Sequence, residues 1–133
     1  MSNRHLYKAK RKDNGEWETG YYFCMVHNDG RHIHHFIIPL GADLSKGRAI
    51  DDIQVEVDPY TICQCTGYKG IWENDIFQCD NERYMIVFSD ADLTWNAESI
   101  FSSESIELGE FCYSEIYVIG NVFDNPELME VGE

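Results

Sequence analysis

A chain of 133 residues that is 44% hydrophobic and 14% aromatic can build one folded domain with a core, which excludes an acidic disordered chain. Its net charge of −14 comes from 24 acidic and 10 basic residues. Residues 1–12 hold five of the basic residues and no acid, so the rest carries 24 acids against five bases. We expect that this acidic body does not bind nucleic acid directly.

The basic arm and the cysteines bear on partners and compartment. The arm is either a solvated terminus or a contact to an anionic partner, such as the acidic body of a neighbouring subunit. The cysteine count is odd, and residues 1–20 lack the apolar core of a secretion signal, so we expect free thiols in a reducing cytoplasm. Apolar runs stay shorter than the roughly 18–20 residues that span a bilayer, which predicts a soluble protein without membrane contact.

Aromatic and β-branched runs between turn signals predict strands in the first half of the chain. Asn14-Gly15 and Asn28-Asp29-Gly30 tolerate the positive φ of tight turns, and the second joins a predicted hairpin. Pro39 ends the hairpin because it has no N–H for a ladder. The predicted elements are a short strand or loose arm at 4–12, strands at 20–26 and 32–39, a loop at 40–52 and a short strand at 53–57.

The second half continues the same pattern after Asp58-Pro59, which either caps a helical turn or opens a β-turn. Asn125-Pro126 predicts a short terminal helix, with Asn at its cap and Pro at its first position. The fold class is therefore mainly β, or α+β with one short C-terminal helix, in antiparallel layers. The predicted strands cover 61–66, 71–77, 84–88, two short strands within 89–110, and 111–123 with Gly120 as a bulge.

Three ordered stretches carry a family resemblance. The first is the turn at 13–17 with Gly20-Tyr21-Tyr22; the second spans 57–76; the third spans 118–128. Together they resemble the YopX family of phage and prophage proteins. Asn74 stands where that family has glycine, and the loop between Gly67 and Ile71 is several residues shorter. The structural motif residues are Asp58, Pro59, Gln64, Thr66, Gly67, Asn74, Asp75, Gly120, Asn121, Asn125 and Pro126.

The resemblance implies an architecture and an origin. It implies one YopX-like domain over 1–133, with an N-terminal β layer and arm at 1–57. Residues 58–133 would form an SH3-like barrel and the terminal helix. It also implies a phage or prophage gene, a bacterial host cytoplasm and self-association. The family brings no known activity, so the resemblance implies no catalytic residue and no cofactor.

Candidate chemistry is sparse. The hairpin between His27 and His35 holds the weak metal candidates His32 and His34, whose i, i+2 spacing puts both imidazoles on one strand face. No distant third ligand is indicated, so exposed histidines beside a turn are the favoured interpretation. Cys63 and Cys65 are predicted to be buried thiols rather than a redox pair.

Three functional hypotheses follow. The leading one is a non-enzymatic, self-associating interaction protein of phage or prophage origin, with a host or phage protein as a further partner. The second is an acidic mimic of DNA or an inhibitor of a host nucleic-acid-binding protein, because no Lys or Arg follows Arg83. The third is a metal-binding protein that uses the histidine hairpin.

Overall fold

The chain folds into two compact units, residues 1–67 and 68–133. The computed structural model describes residues 5–42, 53–68, 70–112 and 115–130. Each unit contains one five-stranded sheet in which all described neighbours run antiparallel. The prediction of a mainly β protein with antiparallel layers is therefore confirmed. No helix in the described ranges has the length and apolarity that crossing a membrane requires.

The sheet of the first unit is built around a long hairpin. β2 and β3 pair from Gly20↔Pro39 to Val26↔Ile33, which confirms the predicted hairpin. β2 begins at Trp17, earlier than predicted, because Trp17 pairs with Lys10 of β1. Residues 43–52, most of the predicted loop, lie outside the described residues. In the order β4-β3-β2-β1-β5, the strands are β1 (Tyr7–Lys10), β2 (Trp17–Val26), β3 (Ile33–Pro39), β4 (Val55–Glu56) and β5 (Cys63–Gln64).

One face of this sheet forms the core of the first unit. Ala9, Ile37 and Val57 are fully buried there, and partly buried hydrophobic residues pack around them. Gly20 is also buried, and a methyl group at this position would collide with the Ile38 carbonyl. The close approach of β2 and β3 therefore requires glycine.

The Asp58-Pro59 break is a capped 3₁₀ turn over Pro59–Thr61. The Asp58 carboxylate accepts the Tyr60 N–H at 3.0 Å, and Pro59 occupies the first position. The Thr61 hydroxyl accepts the Lys10 N–H at 2.8 Å and donates to the Asp58 carbonyl at 2.8 Å. Of the two alternatives that the sequence left open, the cap of a helical turn is the one observed.

The second unit has an open sheet. Its neighbours follow the order β10-β6-β7-β8-β9, and β9 and β10 do not pair among the described residues. The predicted SH3-like barrel is therefore not confirmed. The two short strands predicted within 89–110 are confirmed as β8 and β9. The strands are β6 (Asp75–Cys79), β7 (Glu82–Ser89), β8 (Thr94–Ser99), β9 (Ser105–Glu107) and β10 (Tyr117–Asn121).

An aromatic cluster forms the core of the second unit. Phe77, Tyr84 and Phe111 lie within 5.2–5.4 Å of one another between ring centroids. The Phe111 ring meets the other two edge to face, which is a favoured aromatic arrangement. Ile86 and Leu108 are buried beside them. Burial raises the pKa of the Tyr84 hydroxyl, and nearby carboxylates act in the same direction.

Two predictions near the C-terminus are corrected. The long β segment at 111–123 is shorter, since β10 covers only Tyr117–Asn121; a register shift between Val118 and Gly120 marks the expected irregularity. The predicted terminal helix is only a 3₁₀ turn, Pro126–Met129. The Asn125 side chain does not cap it, because its Oδ1 accepts the Asn121 N–H at 3.2 Å instead.

Replacing Gly120 with alanine is expected to destabilise the protein. The added methyl group would lie against the Asn125 side chain and 2.9 Å from Leu128 Cδ1, which disturbs the bond to Asn121. We expect a loss of about 1–3 kcal/mol in the free energy of unfolding, as for overpacked sites. Urea denaturation of Gly120→Ala measures it.

Gly109→Ala is the matched control, because its new methyl group would meet only the Tyr68 hydroxyl, at 3.8 Å. Its unfolding free energy should change by less than about 0.5 kcal/mol, as at ordinary surface sites. Equal midpoints for the two variants would contradict the packing described around Gly120.

Candidate functional site

The Asn74-Asp75 corner organises the second sheet. Asn74 has a φ of 70°, the left-handed conformation in which asparagine is tolerated next best to glycine. Its N–H donates to the Ile86 carbonyl at 2.8 Å, and its carbonyl accepts the Val122 N–H at 3.2 Å. Asp75 is buried, and its carboxylate accepts the Trp72 N–H at 2.9 Å. These bonds therefore tie the residue before β6 both to β7 and to the residue that follows β10.

The other motif residues of the second unit also fix a turn. Asn121 Oδ1 accepts the N–H groups of Phe123 and Asp124, each at 2.9 Å. The Asn125 N–H returns to the Asn121 carbonyl at 2.9 Å, and Pro126 begins the 3₁₀ turn. These side chains are occupied by backbone groups of their own segment, which gives them a structural role.

The remaining motif residues lie in the first unit. Gln64 pairs with Tyr7 at the sheet edge, Thr66 is buried, and Gly67 has a φ of 97°. Asp58 and Pro59 form the capped turn described above. The residues that resemble the family are thus divided between two units and serve turns and edges.

The two histidines that were the metal candidates each contact a carboxylate. His32 Nδ1 lies 2.6 Å from a carboxylate oxygen of Asp29, and His34 Nδ1 lies 3.0 Å from one of Glu56. The bond to His34 holds the pKa of Glu56 below its ordinary value, and Lys12 acts in the same direction. No group of three or more His, Cys, Asp or Glu in the described ranges could hold a metal ion.

Two of the thiols are disfavoured as nucleophiles. Cys63 and Cys65 are buried, as predicted, and all five cysteines are free. Burial raises the pKa of the Cys79 thiol, and a hydrogen bond with Glu115 raises that of Cys112. A raised pKa lowers the thiolate fraction at neutral pH, so neither thiol is primed for covalent chemistry.

The first sheet presents a second, outward aromatic surface, which we call the aromatic face and define by Trp17, Tyr21, Phe23 and Phe36. Phe23 lies opposite Phe36, and their rings stack at 5.4 Å. Tyr21 is 47% exposed, and the His5 ring stacks on it at 5.7 Å. The other three residues of the face are half-buried, so Tyr21 is its most accessible ring.

A cationic corner lies at the end of β1, where Lys10, Arg11 and Lys12 adjoin Pro59 and Tyr60. These residues and Asp58 line an open hollow of about 570 Å³. Arg11 and Lys12 also line a second one of about 310 Å³, together with Asp13 and Glu56. Arg11 binds Asp13 at 2.8 Å, and Lys12 binds Glu56 at 3.3 Å. Tyr60 is 87% exposed beside them. The corner therefore places three basic residues, two of them paired with acids, beside an accessible aromatic ring.

Charge differs sharply between the two units. Residues 1–67 hold eight basic and nine acidic residues, so their net charge is −1. Residues 68–133 hold two basic and 15 acidic residues, so their net charge is −13. Nearly the whole excess of negative charge therefore belongs to the second unit.

Sequence reasoning did not find the aromatic face, although one signal for it is present. Alternate residues of a strand share a face, and Trp17, Tyr21 and Phe23 all have odd numbers. Tyr22 lies on the opposite face and packs against the core, so aromatic residues occupy both faces of β2. Only the position of the core distinguishes the outward face from the inward one.

The fold and site together define a class: a two-sheet antiparallel β protein. The family model described as YopX protein matches residues 6–130. The chain therefore belongs to the YopX family. No curated protein matches the chain.

Substitutions at Asn74 test the corner that organises the second sheet. Asn74→Ala should lower the free energy of unfolding by about 1 kcal/mol, because alanine pays a steric cost at a left-handed position. Asn74→Gly should stay close to the parent protein, since glycine adopts this conformation without strain. Chemical denaturation of both variants measures the difference.

Asn81→Ala controls for the loss of the amide. Asn81 is an exposed turn residue of the same unit without a positive φ. If Asn74→Gly were as destabilising as Asn74→Ala, the side chain rather than the backbone conformation would stabilise the corner.

Proposed function

We propose that this YopX-family protein is a non-enzymatic, self-associating interaction module of phage or prophage origin that acts in the cytoplasm of a bacterial host. The observation that carries the proposal is the unequal charge of the two units, −1 and −13. A further protein partner, from the host or the phage, would use the same surfaces. The first unit supplies cations and exposed rings, and the second supplies carboxylates.

Opposite local charges give self-association a physical route. The cationic corner of one copy attracts the acidic second unit of another, which steers the encounter and fixes its orientation. The hollows beside Lys10 and Lys12 offer concave seats for carboxylate side chains, and Tyr60 adds apolar contact area. Because the two surfaces differ, the contact is heterologous and joins copies head to tail.

Light scattering over a salt series tests this proposal. The average mass should fall as salt rises, because charge pairs at a partly exposed contact are screened. Lys12→Glu should weaken association at low salt, since it places a carboxylate in the cationic corner. A monomer at every salt concentration would remove the self-association from the proposal.

Arg31→Glu is the matched control for that experiment. It makes the same change in net charge, but Arg31 lies in the exposed turn between β2 and β3. Association that depends on the cationic corner should be changed less by Arg31→Glu than by Lys12→Glu. Equal loss in both variants would show that net charge, and not the corner, governs association.

A second candidate function is favoured by the acidity of the second unit. Its carboxylates would present a basic groove with a charge pattern like that of DNA. Burial raises the pKa of the Tyr84 hydroxyl most, and Glu104, Glu82 and Asp80 lie near enough to raise it further. A pull-down from host lysate tests it: a DNA-binding protein that duplex DNA displaces from the bait supports mimicry, and the lack of any basic partner contradicts it.

Two narrower expectations stay predictions. The SH3-like barrel for the C-terminal part requires an experimental structure in which the second sheet closes. The metal-binding alternative at the hairpin requires stoichiometric metal in untagged protein, measured by elemental analysis.

A further inference from the structure

We propose that the aromatic face of the first sheet binds single-stranded nucleic acid with little sequence preference. This function goes beyond the proposed self-association and does not depend on it. The ligand class follows from two chemical requirements of the surface, flat rings that accept stacked bases and cations that accept phosphates.

The rings are spaced for successive bases. Tyr21 and Phe23 are two residues apart on one strand, which places them about 7 Å from each other along β2. Phe36 extends the row onto β3, stacked on Phe23 with an interplanar angle of 25°. A row of rings across neighbouring strands is the arrangement by which sheet proteins stack two or three bases.

A flat heteroaromatic ring already occupies one stacking position. The imidazole of His5 lies on the Tyr21 ring at 5.7 Å and 10°. His5 is exposed and precedes β1, so a base can take its place without disturbing the sheet. The contact shows that the Tyr21 ring accepts a planar group.

Cations border the rings. The ammonium groups of Lys8 and Lys10 lie 4.7 and 5.4 Å from the centre of the Trp17 ring. Within β1, β2 and β3 the residues on this face include no Asp or Glu, because Glu18 alternates to the core side opposite Ala9. Glu56 of β4 lies opposite Phe36 on this face, where it is bound by His34 and Lys12. The strands therefore give this face a local positive charge.

The acidic body limits this binding but does not abolish it. Of the 24 acids, 15 belong to the second unit. The expectation that the acidic body does not bind nucleic acid therefore applies to that unit and not to this face. Repulsion from the second unit makes the affinity modest and strongly dependent on salt. A duplex keeps its bases stacked on each other, so it cannot use the rings and should bind more weakly.

Fluorescence anisotropy of the full chain with labelled oligonucleotides tests the proposal. The probes are single-stranded DNA and RNA of about 12 nucleotides, within the site sizes of single-strand binders, and a duplex of the same length. Contacts from Lys8, Lys10 and Lys12 predict a slope of about −2 for the logarithm of affinity against that of salt. The DNA and RNA arms show which strand the face prefers.

Variants separate stacking from charge. Tyr21→Ala and Phe23→Ala should each weaken binding about tenfold, the scale of one lost base stack. Tyr21→Phe should retain binding, because it keeps the ring. Phe88→Ala is the control, since Phe88 is an aromatic residue that is 42% exposed in the acidic unit, and it should leave binding unchanged. Thermal melts confirm that each variant is folded.

Three results would overturn the proposal: no single-strand binding at low salt, equal affinity for the duplex, or binding unaffected by the aromatic variants. Light scattering on the same samples keeps self-association separate. If Tyr21→Ala abolished association while the parent protein bound no oligonucleotide, the face would be a protein interface and the proposal would be wrong. If single strands bind and the protein stays monomeric, only the proposed self-association fails.

Discussion

The register between β2 and β3 is the constraint on which the first unit depends. Seven residue pairs, from Gly20↔Pro39 to Val26↔Ile33, decide which side chains face the core. A slip of one residue would exchange the faces, exposing Ile37 and burying Phe36. Gly20 fixes the register because only glycine fits against the Ile38 carbonyl. The full burial of Ala9, Ile37 and Val57 stabilises the same register. The aromatic face of the first unit follows from this alignment.

Separation of charge is the second constraint, and it changes how the composition should be understood. A net charge of −14 spread evenly would repel every polyanion and every other copy. With −13 in one unit and −1 in the other, a single chain carries both an acidic surface and a surface of lysines and rings. This distribution is the basis on which we propose both self-association and an anionic ligand.

Short sequence motifs predicted the features that depend mainly on residues of their own segment. Gly30 in the hairpin turn and Asn74 in the corner both have a positive φ, which glycine and asparagine tolerate best. The buried thiols Cys63 and Cys65 follow from their place in a short apolar run.

Tertiary contacts decided what the sequence could not predict. Asn125 and Pro126 are the residue types that begin a helix, but the Asn125 side chain accepts the Asn121 N–H instead of capping the helix. The helix consists of one 3₁₀ turn. The sequence also showed no sign of the carboxylate partners of the hairpin histidines, Asp29 for His32 and Glu56 for His34. The aromatic face needed knowledge of where the core lies, since aromatic residues occupy both sides of β2.

The contact between the cationic corner of one copy and the second unit of another can be tested by zero-length carbodiimide cross-linking of isotopically light and heavy copies. This reagent joins only amines and carboxylates that are in contact. We expect mixed-isotope peptides that link Lys10 or Lys12 of one copy to carboxylates within residues 68–133 of another. Cross-links found only inside single copies, or mixed-isotope links that never involve the second unit, would contradict it.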